Sequence, residues 1–177
     1  SGVIAATNYV FNVLPGMTGL TVVLKVKDND VSNHPATLSP SSNSFDIRGT
    51  IAITAQPGTP GQLFTVGDPI SIGWGASGAT SFDVYYKIGS GSEVKLNGGP
   101  VTSPYNFNAL SAMVGNSITL KVKDNNTTDH PAAESAASNS FDVRGTITVG
   151  AFTINGQAVS SGQTFTVNNP VSISWSN

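Results

Sequence analysis

The chain contains no cysteine, so neither a disulfide nor a thiolate metal site can staple its fold, and each domain must stand on its hydrophobic core alone. Charge is scarce as well. Asp, Glu, Lys and Arg make up 10% of the residues, against roughly 25% in an average soluble protein. The formal net charge of −2 leaves no electrostatic footprint for nucleic acid or an anionic membrane surface. No apolar run reaches the roughly 18 residues that a spanning helix needs. No secretory leader is visible, and the opening residue is Ser1 rather than Met, which reads as a mature or excised fragment.

What is present points one way. The 177 residues suffice for one or two ordinary domains, and a hydrophobic content of 38% can furnish a core. With so few charges, the polar surface must come from Ser, Thr, Asn and Gly. Thr and Val favour strands, whereas Asn and Gly favour turns. The composition suits an all-β extracellular domain better than a cytosolic enzyme.

An internal repeat organises the chain. Residues 24–51 and 120–147 match at 19 of 28 positions without a gap, at a constant offset of 96. The offset extends backward, so that Tyr9, Phe11, Leu14 and Met17 fall on Tyr105, Phe107, Leu110 and Met113. A second match pairs LFTVGDPISIGW (63–74) with TFTVNNPVSISW (164–175) at an offset of 101, so the last copy holds five extra residues around Asn155. The chain therefore divides into residues 1–48, the back of one repeat; residues 49–144, a complete repeat; and residues 145–177, the front of another.

Within the complete repeat, residues 50–55, 63–66, 70–74, 81–88, 93–96, 105–110, 117–124 and 140–145 read as strands punctuated by Gly, Pro, Asn and Ser. Period-two alternation places Ile70, Ile72 and Trp74 on one face, as it does Val84, Tyr86 and Ile88. Ile118, Leu120 and Val122 share a face too, and so do Phe141 and Val143. No segment sustains a helical period. Eight short strands in about 96 residues is the size of an immunoglobulin-type or fibronectin-type sandwich. Were the strands around 120 and 142 antiparallel neighbours, Lys121 and Lys123 would face Asp142 and Arg144 across them.

A strand ending in Trp74, then Val84-Tyr85-Tyr86, then Leu120-Lys121-Val122-Lys123-Asp124 resembles fibronectin type III and related Ig-like modules. More closely, FDIRGTI, FTVGDPISIGW and LKVKDN resemble the tandem Ig-like repeats of long bacterial cell-surface proteins. These share a phrase F-x-I-x-G before each next domain and then V-G-x-x-x-x-I-x-W. The likeness covers essentially the whole chain and is specific for architecture rather than function. Antibody-type domains carry a Cys pair and a Trp on a different strand, so that subclass is excluded. The expected fold is all-β: tandem Ig-like β-sandwich domains, one complete repeat flanked by two partial ones.

One constellation of side chains suggests a site. Asp28, Asn29, Asp30 and His34 recur as Asp124, Asn125, Asn126, Asp129 and His130. Clustered oxygens after a strand near a junction suit calcium, which takes six to eight oxygen ligands, and the resemblance implies linkers stiffened in this way. Asp28, Asp30, Asp124 and Asp129 are the candidate ligands. The competing reading is a solvated turn that uses Asn and Asp for their tolerance of left-handed angles, with both His-Pro steps in surface turns, cis or trans. Two overlapping N-x-[ST] tripeptides begin at Asn125 and Asn126.

Catalysis is not expected. No G-x-S-x-G elbow occurs, both histidines sit in the same repeated loop, and the acids are scattered. Tyr85, pointing outward, is the one aromatic that offers a carbohydrate platform, whereas Trp74 and Trp175 read as core. The functional expectation is a stalk, spacer or filament segment of a secreted or cell-surface protein, its partners being neighbouring repeats or further copies. Head-to-tail assembly through the half-domains is a variant of that reading. The alternative is an adhesin or carbohydrate-binding module that recognises a glycan or surface receptor through its variable loops.

Overall fold

The computed structural model describes residues 8–28, 32, 33 and 35–176. They are all-β, with thirteen strands and two single-turn 3₁₀ segments, Pro15–Met17 and Ser111–Met113. The strands are β1 (Gly19–Val22), β2 (Phe45–Ile47), β3 (Thr50–Ala55), β4 (Gln62–Thr65), β5 (Pro69–Ser77), β6 (Phe82–Ile88) and β7 (Val94–Lys95). They continue as β8 (Tyr105–Asn108), β9 (Gly115–Asp124), β10 (Phe141–Arg144), β11 (Thr148–Ile154), β12 (Gln157–Ala158) and β13 (Val171–Ser176). No helix among the described residues is long and apolar enough to cross a membrane.

Residues 49–144 contribute two sheets, one ordered β4-β10-β9-β6-β7 and the other β3-β5-β8. All neighbours are antiparallel except β4, which runs parallel to β10. One core joins the two sheets. Ile70, Ile72 and Trp74 of β5 meet Val84 and Tyr86 of β6, Ile118, Leu120 and Val122 of β9, and Phe141 and Val143 of β10. These are the residues that strict alternation assigns to the inner face, and Ile72, Val84, Ile118, Leu120, Val122 and Phe141 are wholly buried. Edge-to-face contacts of Phe64 with Phe141 and of Trp74 with Phe82, at 5.4 and 5.6 Å between ring centroids, fix the packing of the larger rings.

The sequence match at an offset of 96 has a hydrogen-bond counterpart. Ser135 and Ser138 accept the Val122 and Leu120 amides at 3.0 and 2.9 Å. Ser39 and Ser42 accept those of Val26 and Leu24 at 2.9 Å each. A bulge recurs too. Ser117, at φ 57°, donates its amide to the Asp142 carboxylate at 2.8 Å. Thr21, at φ 54°, donates to Asp46 at 2.9 Å. A left-handed angle is costly for residues with a Cβ, so its recurrence under a carboxylate marks a specified feature. The offset of 101 recurs as well: Thr65 donates to Asp68 and Thr166 to Asn169. The five extra residues near Asn155 build the β11–β12 hairpin, turned by Asn155 at φ 51° and Gly156 at φ 74°, as a two-residue type I′ turn requires.

The bulge overturns one expectation. It sets Phe141 opposite Ile118 and Val143 opposite Gly115, so Asp142 and Arg144 lie beside the start of β9, away from its lysines. Asp142 caps the Ser117 amide, and Arg144 donates to Thr65 Oγ1 at 3.1 Å. Lys121 and Lys123 instead lie opposite Tyr85 and Asp83 of β6 and form ion pairs with Glu93 and Glu134.

Candidate functional site

The loop that follows β9 meets the preceding repeat copy. β2 ends at Ile47 and β3 begins at Thr50, so only Arg48 and Gly49 link the two copies. A Cβ added to Gly49 would lie 2.6 Å from the Gly78 carbonyl carbon, and one added to Gly78, at φ 69°, would collide with the Thr18 side chain. The two glycines thus allow a backbone-to-backbone approach that no larger residue permits. Beside them the Leu20 amide donates to the Asp129 carbonyl at 3.1 Å. At the other junction Gly145, the counterpart of Gly49, has only Val114 within 4 Å.

Two of the candidate calcium ligands, Asp124 and Asp129, lie at the loop that follows β9. Asp124 is buried, and its Oδ1 accepts the Ser81 and Asn126 amides at 3.3 and 3.1 Å. That pairing fastens the loop to the β5–β6 connection. Its Oδ2 faces His130 Nδ1 at 3.4 Å without a hydrogen bond. Asp129 is exposed and receives Asn126 Nδ2 at 3.1 Å. The Asp28 amide donates to the Thr37 carbonyl at 2.9 Å in the other copy's loop, and Asp30 lies outside the described residues. No group of three or more His, Asp or Glu is placed to hold a metal among the described residues. As they stand, the Asp124 and Asp129 carboxylates serve amides and side chains of the loop.

His130 departs from its expected place in a surface turn. It is buried against Asp124, and among the described residues the only cis bond precedes Pro104. His34 lies outside the described residues. Asn125 and Asn126, which begin the two N-x-[ST] tripeptides, both use their amides, Asn125 on Asp83 and Asn126 on Asp129 and Thr80.

A polar cluster that alternation alone does not announce sits on the outer face of β6. Asp83 is buried and accepts Lys95 Nζ at 2.7 Å, Asn97 Nδ2 at 2.7 Å and Asn125 Nδ2 at 2.8 Å. Asn97 Oδ1 in turn accepts the Val84 amide at 2.7 Å. Burial pushes the Asp83 carboxyl up, but the hydrogen bonds from Lys95, Asn125 and Asn97 outweigh it and hold the group below the usual carboxylate range. The cluster ties β6, β7 and the post-β9 loop together. An Asp between Phe82 and Val84 was the one available hint, since an unpaired carboxylate there would be costly if covered.

Next to this cluster, the hydrogen bond that Lys123 donates to Glu93 holds the Glu93 carboxyl low and the Lys123 ammonium high. Lys123 also lies 5.1 Å from the centroid of the Tyr85 ring. That cation–π contact covers the ring expected to be an open carbohydrate platform, and Tyr85 is only half-exposed. No known protein family, no curated protein and no solved structure matches this chain.

Proposed function

We propose that the chain is a non-catalytic structural segment, a stalk, spacer or filament element, of a large secreted or cell-surface protein built from tandem Ig-like sandwiches. The observation that carries this reading is the junction. A two-residue link, the close approach of Thr18 to Gly78 and the Leu20–Asp129 hydrogen bond leave one copy little freedom to swing against the next. Short links between units that touch only their neighbours are how repeat arrays become semi-rigid rods. The strand order supports the Ig-like part. β3, β5 and β8 occupy the places of strands A, B and E, and β6, β9 and β10 those of C, F and G.

Small-angle X-ray scattering tests the proposal. A compact globule of this length has a radius of gyration of about 16 Å. Repeats stacked end to end, at about 35–40 Å each, should exceed 20 Å. Thr18→Gly removes the side chain that lies against Gly78 from outside residues 49–144, so it should loosen the junction and broaden the distance distribution while leaving the melting of residues 49–144 nearly unchanged. A compact particle insensitive to Thr18→Gly would sink the stalk reading.

A further inference from the structure

The two ends of the chain carry complementary unfinished surfaces. In the complete repeat β8 pairs with β5, Ile70 opposite Phe107 and Ile72 opposite Tyr105. The counterpart of β5 is β13, an edge strand of its sheet, ordered β12-β11-β13. The counterpart of β8, residues 9–12, pairs with no strand among the described residues, yet Tyr9 and Phe11 stack at 5.9 Å and 22° just as Tyr105 and Phe107 do at 5.7 Å and 20°. The second pairing is split in the same way. β4 runs beside β10 in the complete repeat, whereas among the described residues β2, the counterpart of β10, has no strand on its outer edge, and residues 163–166, the counterpart of β4, pair with no strand. Each end thus presents one open edge and one extended segment, and each segment matches the edge at the opposite end.

The side chains on these surfaces are core residues without a cover. Trp175 is 70% and Ile173 51% exposed, whereas their counterparts Trp74 and Ile72 are 5% and 0% exposed. Tyr9, Phe11 and Phe45 stand exposed at the other end. Fully burying an aromatic side chain removes about 150–250 Å², so these four rings alone would bring several hundred Å². Val26, Val171, Ile173 and the paired backbone add to this area, toward the roughly 1,000 Å² that a specific interface needs.

We infer that the C-terminal end of one copy adds reciprocally to the N-terminal end of a second copy, in the register of the complete repeat. This deepens the stalk reading and rests on it. Residues 9–12 extend the β11–β13 sheet, with Val171 opposite Phe11, Ser172 opposite Val10 and Ile173 opposite Tyr9. Residues 163–166 run parallel to β2, with Phe165 opposite Ile47 and Thr166 opposite Arg48. Main-chain hydrogen bonds at the two edges supply the pairing, and alternate side chains supply its specificity. The composite sandwich has no counterpart of β6 and β7, so the association is weaker than the internal packing of residues 49–144 and depends on concentration.

The absence of cysteine makes the test clean. Val10→Cys and Ser172→Cys, both on exposed residues, are prepared separately, mixed at about 100 µM and mildly oxidised. The expected product is a Val10→Cys/Ser172→Cys heterodimer formed several-fold above an Asn12→Cys/Ser172→Cys control, which is two residues out of register. Sedimentation of the unmodified chain should show mass increments of 18.1 kDa as concentration rises, and Ile173→Asp should abolish them. A chain that stays at 18.1 kDa and yields no excess over the control overturns the inference. If that monomer is still extended in scattering, the stalk reading stands without self-assembly.

Discussion

The segments Leu24-Lys25-Val26-Lys27-Asp28 and Leu120-Lys121-Val122-Lys123-Asp124 are identical in sequence and unlike in circumstance. Both receive the same serine hydroxyls and the same return strand, with the Asp28 amide on the Thr37 carbonyl as the Asp124 amide is on Ala133. Yet Leu120 and Val122 are wholly buried within a ten-residue strand, whereas Leu24 and Val26 are 38% and 76% exposed, and residues 23–26 are not in a strand at all. The difference is the neighbour. β9 has β6 along its whole upper half, from Phe82 opposite Asp124 to Ile88 opposite Ile118. Residues 23–26 have no such partner. Local serine bonds hold the path of the chain, and a paired strand with a facing sheet is needed to turn that path into a core strand. That is the sense in which β propensity is a property of surroundings.

The strongest way to break the comparison is to cut the same ring from both copies. Phe141→Ala should cost about 3–5 kcal/mol, since it leaves a cavity beside Phe64 in a closed core. Phe45→Ala, at the equivalent exposed position, should cost less than about 1 kcal/mol in a dilute sample. Urea unfolding followed by far-ultraviolet circular dichroism reads both values. Equal costs would mean that the first copy is already covered in solution.

A smaller and more local contrast lies in the serines. Ser138→Ala leaves the buried Leu120 amide without an acceptor, a loss of about 1–3 kcal/mol. Ser42→Ala does the same to Leu24, but there the amide is exposed, so water can replace the hydroxyl and the cost should stay within about 0.5 kcal/mol. Amide hydrogen exchange at Leu120 and Leu24 is the direct check. Similar protection at the two amides in the unmodified chain would sink the contrast.

Much of the fold was legible because inner-face alternation is a strong signal. Ile70, Ile72, Trp74, Val84, Ile118, Leu120, Val122 and Phe141 all turn inward as the pattern requires. The repeat itself marked Ser39 and Ser42 with Ser135 and Ser138, although nothing in a serine-rich stretch says that its hydroxyls run along a strand. Register was not legible. A single left-handed residue, Ser117, displaces β10 along β9, and no residue type announces that a Ser will take that angle. The candidate site was read for its oxygens and missed for their neighbours. Asp124 looked like a ligand because it follows a strand among other polar residues, but its fate is set by Ser81 and by His130, which is buried against it rather than held in a surface turn. The Asp83 cluster draws on four separated positions, 83, 95, 97 and 125, and only the three-dimensional fold brings these together.

The smallest expected effect sharpens the comparison at the Asp28 and Asp124 loops. A calcium ion needs six to eight oxygens, and a ligand that binds only the native state raises its melting temperature. At the Asp124 loop one carboxylate oxygen already holds two amides and the other is enclosed against His130, so a cation could enter only by displacing both arrangements. Millimolar calcium, compared with excess chelator, should therefore move the melting of residues 49–144 by less than about 1 °C. Each loop carries two aspartates, but the second is Asp30 in the first copy and Asp129 in the other, with Asn126 and Asn33 at the matching positions. Asp30→Asn makes the two loops alike at that position and separates the cases. A rise of several degrees that survives the substitution would place the cation at Asp124 and require its loop to rearrange, whereas a rise that vanishes with it would confine calcium to the first copy. The absence of any rise leaves the Asp124 loop as a hydrogen-bonded turn, and the stiffness of the junction then rests on the two-residue link, the approach of Thr18 to Gly78 and the Leu20–Asp129 bond.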